Sequence, residues 1–251
     1  MINGLYTAAR AMESAERQHE LASENLANVQ MQGFKRRFVR QSTFDAEMTS
    51  ALKGSGVQHK DSIEHPKFDV LQYESAHDFA QGHLRQTMRP LDAALNGSGF
   101  FVVEGPNGGE LYTRNGSFYL NNDRQLVTID QLIVQGVGGP ITIPDNANAE
   151  AISISQDGQV FVGRTEIGQL RIEDFTDRSV LEPMGSTLYA APPNTQSIAS
   201  TATVWQGHLE QSNVVTINEL VGIISSSKQF EAAQKSMSMI MDTMQKRIGV
   251  N

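Results

Sequence analysis

The first thirty residues place apolar side chains at alternating intervals of four and three residues. This spacing keeps the side chains on one face of an α-helix and is typical of a helix that packs lengthwise against another. Only His19 interrupts the apolar stripe. The pattern predicts a helix from about residue 3 to about residue 30, roughly 40 Å long at about 1.5 Å per residue. The stripe consists of Met1, Leu5, Ala8, Met12, Ala15, His19, Ala22, Leu26 and Val29.

The end of the chain repeats this spacing. Thr216 is followed three residues later by Glu219, which is the pattern of a helix N-terminal capping box, and Asn213 is an alternative cap. Neither stripe can be buried by its own helix, so we expect the two terminal helices to pair as a coiled coil or to pack against copies of themselves. The second stripe consists of Leu220, Ile223, Ser227, Phe230, Gln234, Met237, Met241, Met244 and Ile248.

The middle of the chain has the spacing of strands instead. Short runs rich in β-branched and aromatic residues alternate with turn dipeptides such as Asn107-Gly108, Asn115-Gly116 and Asp157-Gly158. Together with the terminal helices, this pattern predicts an α+β protein with a β-rich, mostly antiparallel middle domain. The strand-like runs are 100–103, 110–114, 117–120, 125–129, 132–134, 152–154 and 160–162.

These periods divide the chain into four segments. We expect an N-terminal heptad helix over 1–32, an extended linker over 33–78, a β-rich middle domain over 79–205 and a C-terminal heptad helix over 206–251. The two helical segments together are expected to form one core domain. The linker shows neither the helical nor the strand period, so we expect it to be extended or loosely ordered.

Composition and charge exclude several classes of protein. The chain has 251 residues, a net charge of −8 and no cysteine, which rules out disulfides and thiolate-based metal sites. Residues 61–213 hold eight basic and nineteen acidic residues, so the middle domain argues against a nucleic-acid surface. No apolar run is long enough to span a membrane, and the N-terminus lacks the pattern of a secretory signal.

A search for catalytic, cofactor and metal-binding patterns finds none that holds. The six histidines form no zinc-binding spacing, and no Walker lysine follows a glycine cluster. Ser225 and Lys228 match the SxxK string of penicillin-binding enzymes, but they fall within the predicted C-terminal helix and lack the other motifs. An enzyme such as a cell-wall hydrolase would need a paired acid and nucleophile, which the sequence does not offer. We therefore predict a non-enzymatic protein without cofactor or metal.

One basic cluster stands out at Lys35, Arg36, Arg37 and Arg40. It has the charge to bind phosphate or an anionic lipid. The alternative, which we favour, is that it meets an acidic surface on a neighbouring subunit, such as the middle domain of another copy.

A signature stands at the end of the predicted first helix, and further motifs follow it in order along essentially the whole chain. The signature residues are Asn25, Leu26, Ala27, Asn28, Gly33, Phe34 and Lys35. The later motifs are 81–87, 90–92, 97–103, 112–118, 206–214, 219–221 and 230–231. Together these motifs resemble those of the flagellar basal-body rod and hook protein family. The sequence departs from the family at Glu24 and Met31, where small polar residues are usual.

This resemblance implies a structural axial subunit of the bacterial flagellum. Such subunits are exported by the flagellar type III apparatus without a cleaved signal, and they polymerise with copies of themselves and with other rod and hook proteins. Their terminal helices build the wall of a periplasmic rod that carries motor torque for motility. The implied assembly interface comprises Leu5, Met12, Ala15, Ala22, Leu26, Val29, Leu220, Ile223, Phe230, Met237, Met241, Met244 and Ile248.

Alternatives within and beyond this family stay open. The opening residues 4–8 and the segments 89–92 and 139–144 look more like a proximal rod protein, with a distal rod or hook subunit as the alternative. A soluble coiled-coil scaffold or export chaperone would also explain two heptad helices.

Overall fold

Helices lie at the two ends of the chain and strands lie between them. The computed structural model describes residues 2–43, 71–106, 108–145, 151–193 and 195–249. Within these residues, α1 spans Ile2–Ala27 and α2 spans Thr216–Ile248, while every strand pairing is antiparallel. The predicted α+β class with an antiparallel β-rich middle is therefore confirmed.

Nineteen strands are described, and a single 3₁₀ turn spans Arg178–Val180. The strands are β1 (Arg37–Thr43), β2 (Leu71–His77), β3 (Leu84–Gln86), β4 (Ala93–Asn96), β5 (Phe100–Glu104), β6 (Glu110–Thr113), β7 (Tyr119–Leu120), β8 (Leu126–Val127), β9 (Ile133–Gly136), β10 (Gly139–Pro140), β11 (Ile152–Ile154), β12 (Gln159–Val162), β13 (Thr165–Gln169), β14 (Ile172–Phe175), β15 (Glu182–Pro183), β16 (Leu188–Ala190), β17 (Ser197–Ala199), β18 (Thr203–Gln206) and β19 (His208–Glu210).

The chain divides into two compact units. The helical unit consists of residues 1–24, 37–77 and 217–251, and the β-rich unit consists of residues 25–36 and 78–216. Strands β1 and β2 of the predicted linker thus group with the helices, and the predicted C-terminal helical segment contains strand β19 before α2 begins.

Within the helical unit, α1 and α2 approach each other at small residues and run antiparallel. A Cβ atom on Gly4 would lie 3.3 Å from Cδ1 of Ile240, and a Cβ atom on Gly222 would lie 3.8 Å from Cβ of Ala22. The two contacts are eighteen residues apart on each helix, or about 27 Å at about 1.5 Å per residue, so the pairing keeps one register over this length. Ala8, also on the predicted stripe, is buried.

Half of the predicted stripe on α2 is displaced by one residue. Ile223, Phe230, Met237 and Met244 are half-buried as expected for a packed face, but Leu220 and Met241 are largely exposed. The buried positions between the half-buried ones are Glu219, Ser226 and Ala233. The most buried positions of α2 thus lie one residue before Leu220, Ser227 and Gln234 of the predicted stripe, while the other half of the stripe is half-buried. Ile248 lies outside the described side chains.

The first stripe follows its predicted face more closely. Ala15 and Ala22 are buried, while Leu5, Met12, Leu26 and Val29 are half-buried. His19, the interruption in the pattern, is exposed. The helix ends at Ala27, three residues before the predicted end, so Val29 lies in the turn that follows.

The predicted linker contains a pair of strands. Strand β1 pairs with β2 over seven residues, from Arg37 opposite His77 to Thr43 opposite Leu71. The segment is extended as predicted, but it forms a ladder that its lack of clear alternation did not reveal. Residues 44–70, the rest of the predicted linker between the two strands, lie outside the described part of the chain.

The β-rich unit is built around a ten-stranded sheet. Its main path runs β15-β16-β6-β5-β9-β8-β7, with β10 on β9 and with β14 between β5 and β17. Each of the seven predicted runs contains a strand, and Gly108 and Gly158 adopt the positive φ values that their turns require. The main core packs aromatic and aliphatic side chains such as Phe101 and Phe118, whose ring centroids are 5.1 Å apart.

Candidate functional site at a buried polar junction

A buried ion pair within the β-rich unit joins two segments that are far apart in the sequence. Lys35 follows Gly33 and Phe34 after the end of α1, and Glu210 lies at the end of β19, 175 residues later. The Lys35 Nζ lies 2.6 Å from Oε1 of Glu210, and both side chains are at most 1% exposed. Each group is buried beside its opposite charge, which is the condition under which proteins retain charges in their interior.

Arg114 supplies a second cation to the same carboxylate. Its NH1 atom lies 3.3 Å from Oε2 of Glu210, and its guanidinium carbon lies 5.3 Å from the ring centroid of Phe100. The backbone N–H of Gly82 donates to Oε1 of Glu210 at 2.9 Å. A single carboxylate is therefore shared between two cations and one amide.

Asn213 extends this arrangement along the chain. Its Oδ1 accepts a 2.7 Å hydrogen bond from the Arg36 amide, and its Nδ2 donates to the carbonyl oxygens of Asp78, at 2.8 Å, and Ala80, at 3.1 Å. The Nζ of Lys35 also donates to the Ala80 carbonyl, at 2.8 Å. We call Lys35, Arg114, Glu210 and Asn213, with the backbone they bind, the polar junction.

Two glycines allow the segments of the polar junction to approach. Gly33 has a φ of 72°, and a Cβ atom there would lie 2.5 Å from the backbone nitrogen of Asn115. A Cβ atom on Gly82 would lie only 1.9 Å from the carbonyl oxygen of Gln211. Any larger residue at either glycine would collide with backbone, so the family motifs containing Gly33 and Gly82 meet here for a steric reason.

Burial dominates the electrostatics of the polar junction. Desolvation lowers the pKa of Lys35, and the nearby Arg114 guanidinium lowers this pKa further, while the Glu210 carboxylate opposes the shift. Desolvation also lowers the pKa of Arg114, again against the effect of Glu210. Because two cations share one carboxylate, Glu210 carries most of the compensation for their burial.

The contacts of Lys35 correct the prediction for this member of the basic cluster, and nothing tests the partner predicted for the rest. Lys35 does not face a ligand or another subunit, because it is buried against Glu210 of its own chain. Arg37 forms an ion pair with Glu24 in the helical unit, which gives a structural role to one of the two departures from the family signature. Arg40 is exposed. The sequence did not reveal these pairings, since Glu24, Arg37 and Glu210 belong to separate patterns.

Sequence reasoning placed Arg114 and Glu210 in family motifs but did not select them as site residues. Both lie in the motifs 112–118 and 206–214, so the signal was present. A charged residue inside a motif that otherwise reads as buried strand is the feature that could have indicated a buried ion pair.

The predicted assembly residues lie partly on the surface of α2. Leu220 and Met241 are 45% and 47% exposed, and Ile217, Val221 and Ile224 beside Leu220 are more exposed still. Positions 217, 220, 221 and 224 lie on one face of the helix. We call these four residues the α2 outer stripe.

The chemistry available in the described residues is that of packing and ion pairing. No cluster of three or more potential metal-ligating side chains occurs among them. Neither α1 nor α2, over its described length, combines the length and apolar character needed to cross a bilayer. The three charged side chains of the polar junction are buried and contact one another, which fits a structural role.

Comparison with known protein families gives matches in two regions of the chain that contain these motifs. The family model for the flagellar hook protein FlgE/F/G D1 domain matches residues 94–162, and the model for the flagellar basal body rod FlgEFG protein C-terminal region matches residues 206–248. The second match contains Glu210 and Asn213 of the polar junction together with all of α2.

Similar full-length proteins carry the same family name. The flagellar basal-body rod protein FlgG of Buchnera aphidicola from Acyrthosiphon pisum is 32% identical, with 98% of each chain covered. FlgF of Caulobacter vibrioides is 31% identical over 94% of this chain and 93% of its own, and FlgG of Bacillus subtilis is 28% identical over 100% and 99%. Because such identity extends over nearly the full length, this chain belongs to the flagellar basal-body rod protein family and is a structural subunit of the rod.

Proposed function

We propose that this subunit polymerises through α1 and α2 and that the resulting contacts transmit motor torque along the rod. The observation that carries the proposal is the α2 outer stripe. It places four large apolar residues on one helical face, with exposures from 45% to 72%. An apolar face of this kind on a protein that assembles marks a surface for another protein.

The α1–α2 contact explains why this stripe stays free for assembly. The helices meet where Gly4 contacts Ile240 and where Ala22 contacts Gly222, and the four residues of the α2 outer stripe remain exposed. We propose that the antiparallel pair is the coiled coil expected from the heptad spacing, and that residues 1–32 and 206–251 form the assembling core. We further propose that residues 79–205 form the β-rich domain between the two parts of this core in the sequence.

The proposed partners are copies of this chain and other rod and hook proteins. We further propose export through the flagellar type III apparatus to a rod that crosses the periplasm. Family membership supports this route. The absence of cysteine from the chain is compatible with it, because a chain without thiols crosses an oxidising compartment without forming disulfides.

The proposal is tested in the bacterium that encodes this chain, with the chromosomal copy deleted and variants supplied in its place. Leu220→Asp and Met241→Asp each put a charge on an exposed apolar position of α2, so we expect loss of rod assembly and of swimming. Ile129→Asp is the matched control, because Ile129 is an equally apolar and 62% exposed residue of the β-rich unit. Normal swimming with both α2 variants would refute assembly through this face.

A further inference from the structure

The connections between the helical unit and the β-rich unit are concentrated in a few segments. The chain passes from one unit to the other four times, at residues 24/25, 36/37, 77/78 and 216/217. On the side of the β-rich unit, these passages belong to the segments 25–36, 78–83 and 208–216. We call them the three crossing segments.

Backbone hydrogen bonds join the three crossing segments directly. The Gly33 amide donates to the carbonyl oxygen of Glu210 at 2.8 Å, and the Asp78 amide donates to the carbonyl oxygen of Arg36 at 2.8 Å. The Gln211 amide donates to the carbonyl oxygen of His83 at 2.9 Å. Each crossing segment is thus tied to both of the others.

The side chains of the polar junction close the same ring. Glu210 contacts Lys35 of the first crossing segment and the Gly82 amide of the second, and Asn213 binds the backbone of both. Arg114, from just after β6, anchors Glu210 to the main sheet. Glu210 and Asn213 therefore each contact both of the other crossing segments, and Lys35 adds a direct hydrogen bond from the first segment to the Ala80 carbonyl of the second.

We propose that the polar junction is a clasp that makes the three crossing segments open and close as one cooperative element, with Glu210 as the residue that holds it shut. Loss of the Glu210 charge removes the only carboxylate that Lys35 and Arg114 are described as contacting directly, leaves them the weaker effects of Asp78 and Asp174, and releases all three segments together. The mechanical consequence rests on the proposed function: torque applied to the terminal helices enters the β-rich unit through all the crossings at once.

Amide hydrogen exchange of the full-length chain tests the clasp. In Glu210→Gln we expect peptides from 25–36, 78–83 and 208–213 to exchange at least about tenfold faster than in the wild type, and by similar factors, because amides of one cooperative element open together. Peptides from β5 and β9 should keep their protection. The control is Glu110→Gln, which removes the carboxylate charge from a more exposed pair with Arg171 (Oε1 to NH1, 2.6 Å) and should leave the three segments unchanged.

Two outcomes would overturn the clasp. Faster exchange confined to 208–213 would show that the segments open independently, and equal effects of the two glutamine variants would show that burial of the charges is unimportant. If Glu210→Gln does not fold, Lys35→Met decides instead, since Lys35 links the first crossing segment to Ala80 of the second. Unchanged exchange of 78–83 in Lys35→Met would then refute the clasp.

The double variant Lys35→Met with Glu210→Gln adds an independent criterion. A clasp predicts that its exchange factors do not exceed those of Glu210→Gln alone, because the lysine acts through the same closed state. If the exchange factors of the double variant equal the product of those of the two single variants, Lys35 and Glu210 act through separate contacts. The two proposals can fail separately. If hydrogen exchange refutes the clasp but Leu220→Asp abolishes assembly, the proposed polymerisation through α2 still holds.

Discussion

In the polar junction two cations share one carboxylate. We therefore expect replacement of the carboxylate to lower the free energy of unfolding more than replacement of one cation. Glu210→Gln keeps the shape of the side chain and an acceptor for the Gly82 amide, but it removes the carboxylate that Lys35 and Arg114 both contact. Lys35→Met replaces a cation by an apolar side chain of similar length and leaves Glu210 with Arg114. The carbonyl of Ala80 keeps its hydrogen bond from Asn213 in that variant.

The size of the difference follows from the burial of these groups. Lys35, Arg114 and Glu210 are at most 3% exposed, so solvent does not screen them. Removing one partner of a buried ion pair costs about 3–5 kcal/mol, and this is the cost we expect for Glu210→Gln. For Lys35→Met, where the remaining pair is balanced, we expect no more than about 1.5 kcal/mol.

Urea unfolding followed by the fluorescence of Trp205 measures both costs. Trp205 is the single tryptophan and lies in β18, so its signal reports on the β-rich unit that contains the polar junction. With a slope of about 2–3 kcal/mol per molar urea, Glu210→Gln should lower the midpoint by about 1–2 M. Lys35→Met should lower it by less than half as much. A midpoint for Lys35→Met at or below that of Glu210→Gln would refute the argument from charge balance.

Three further predictions concern pH and sterics. The pKa of Lys35 is lower in the folded than in the unfolded chain, so the unfolded chain binds more protons in alkaline solution. The free energy of unfolding of the wild type should therefore rise relative to that of Lys35→Met as the pH approaches about 10. Parallel curves of unfolding free energy against pH for the two proteins would contradict this. Burial and the neighbouring Arg37 lower the pKa of His77 to about 4, so the helical unit should lose stability as the pH falls from about 6.5 to 4. His77→Phe should remove this loss, and an NMR titration of the imidazole ring checks the pKa. Gly82→Ala places a Cβ atom 1.9 Å from a backbone carbonyl oxygen and should destabilise the β-rich unit by more than about 2 kcal/mol in the urea assay, whereas Gly109→Ala, with open space around its Cβ position, should cost less than about 0.5 kcal/mol.

The strands of the β-rich unit were predictable where hydrophobic runs and turn dipeptides coincide. The run at Phe100–Val103 is buried throughout, and the turn at Asp157-Gly158 contains the positive φ expected of its glycine. Strand β4 was missed because Ala93 and Ala94 have low β propensity, although both are fully buried beneath the ladder with β18. Strand β17 was missed for the opposite reason, since its three residues are all exposed.

The polar junction could be located from the sequence but not understood from it. The motifs marked Gly33, Lys35 and Gly82 as unusual positions without giving the reason for any of them. The reason is that the fold brings distant residues together: Lys35 contacts the carboxylate of Glu210, 175 residues away, and Gly82 lies against the backbone of the next residue, Gln211. Local periodicity carries no information on such distant pairs, so a lysine at the end of a helix looks like a solvated charge.

The displaced stripe on α2 shows why periodicity alone cannot assign the two sides of an assembling helix. Heptad spacing selects the largest apolar residues, and these include both the half-buried Phe230 and the exposed Leu220. Within the chain, α1 and α2 come closest at Gly4, where an added Cβ atom would lie only 3.3 Å from Cδ1 of Ile240, whereas at Gly222 it would make an ordinary 3.8 Å contact with Ala22. In the proposed assembly, α2 would pack against α1 of its own chain on one side and would offer the exposed Leu220 and its apolar neighbours to another subunit on the other. The spacing of apolar residues is the same for both sides, so it does not tell them apart.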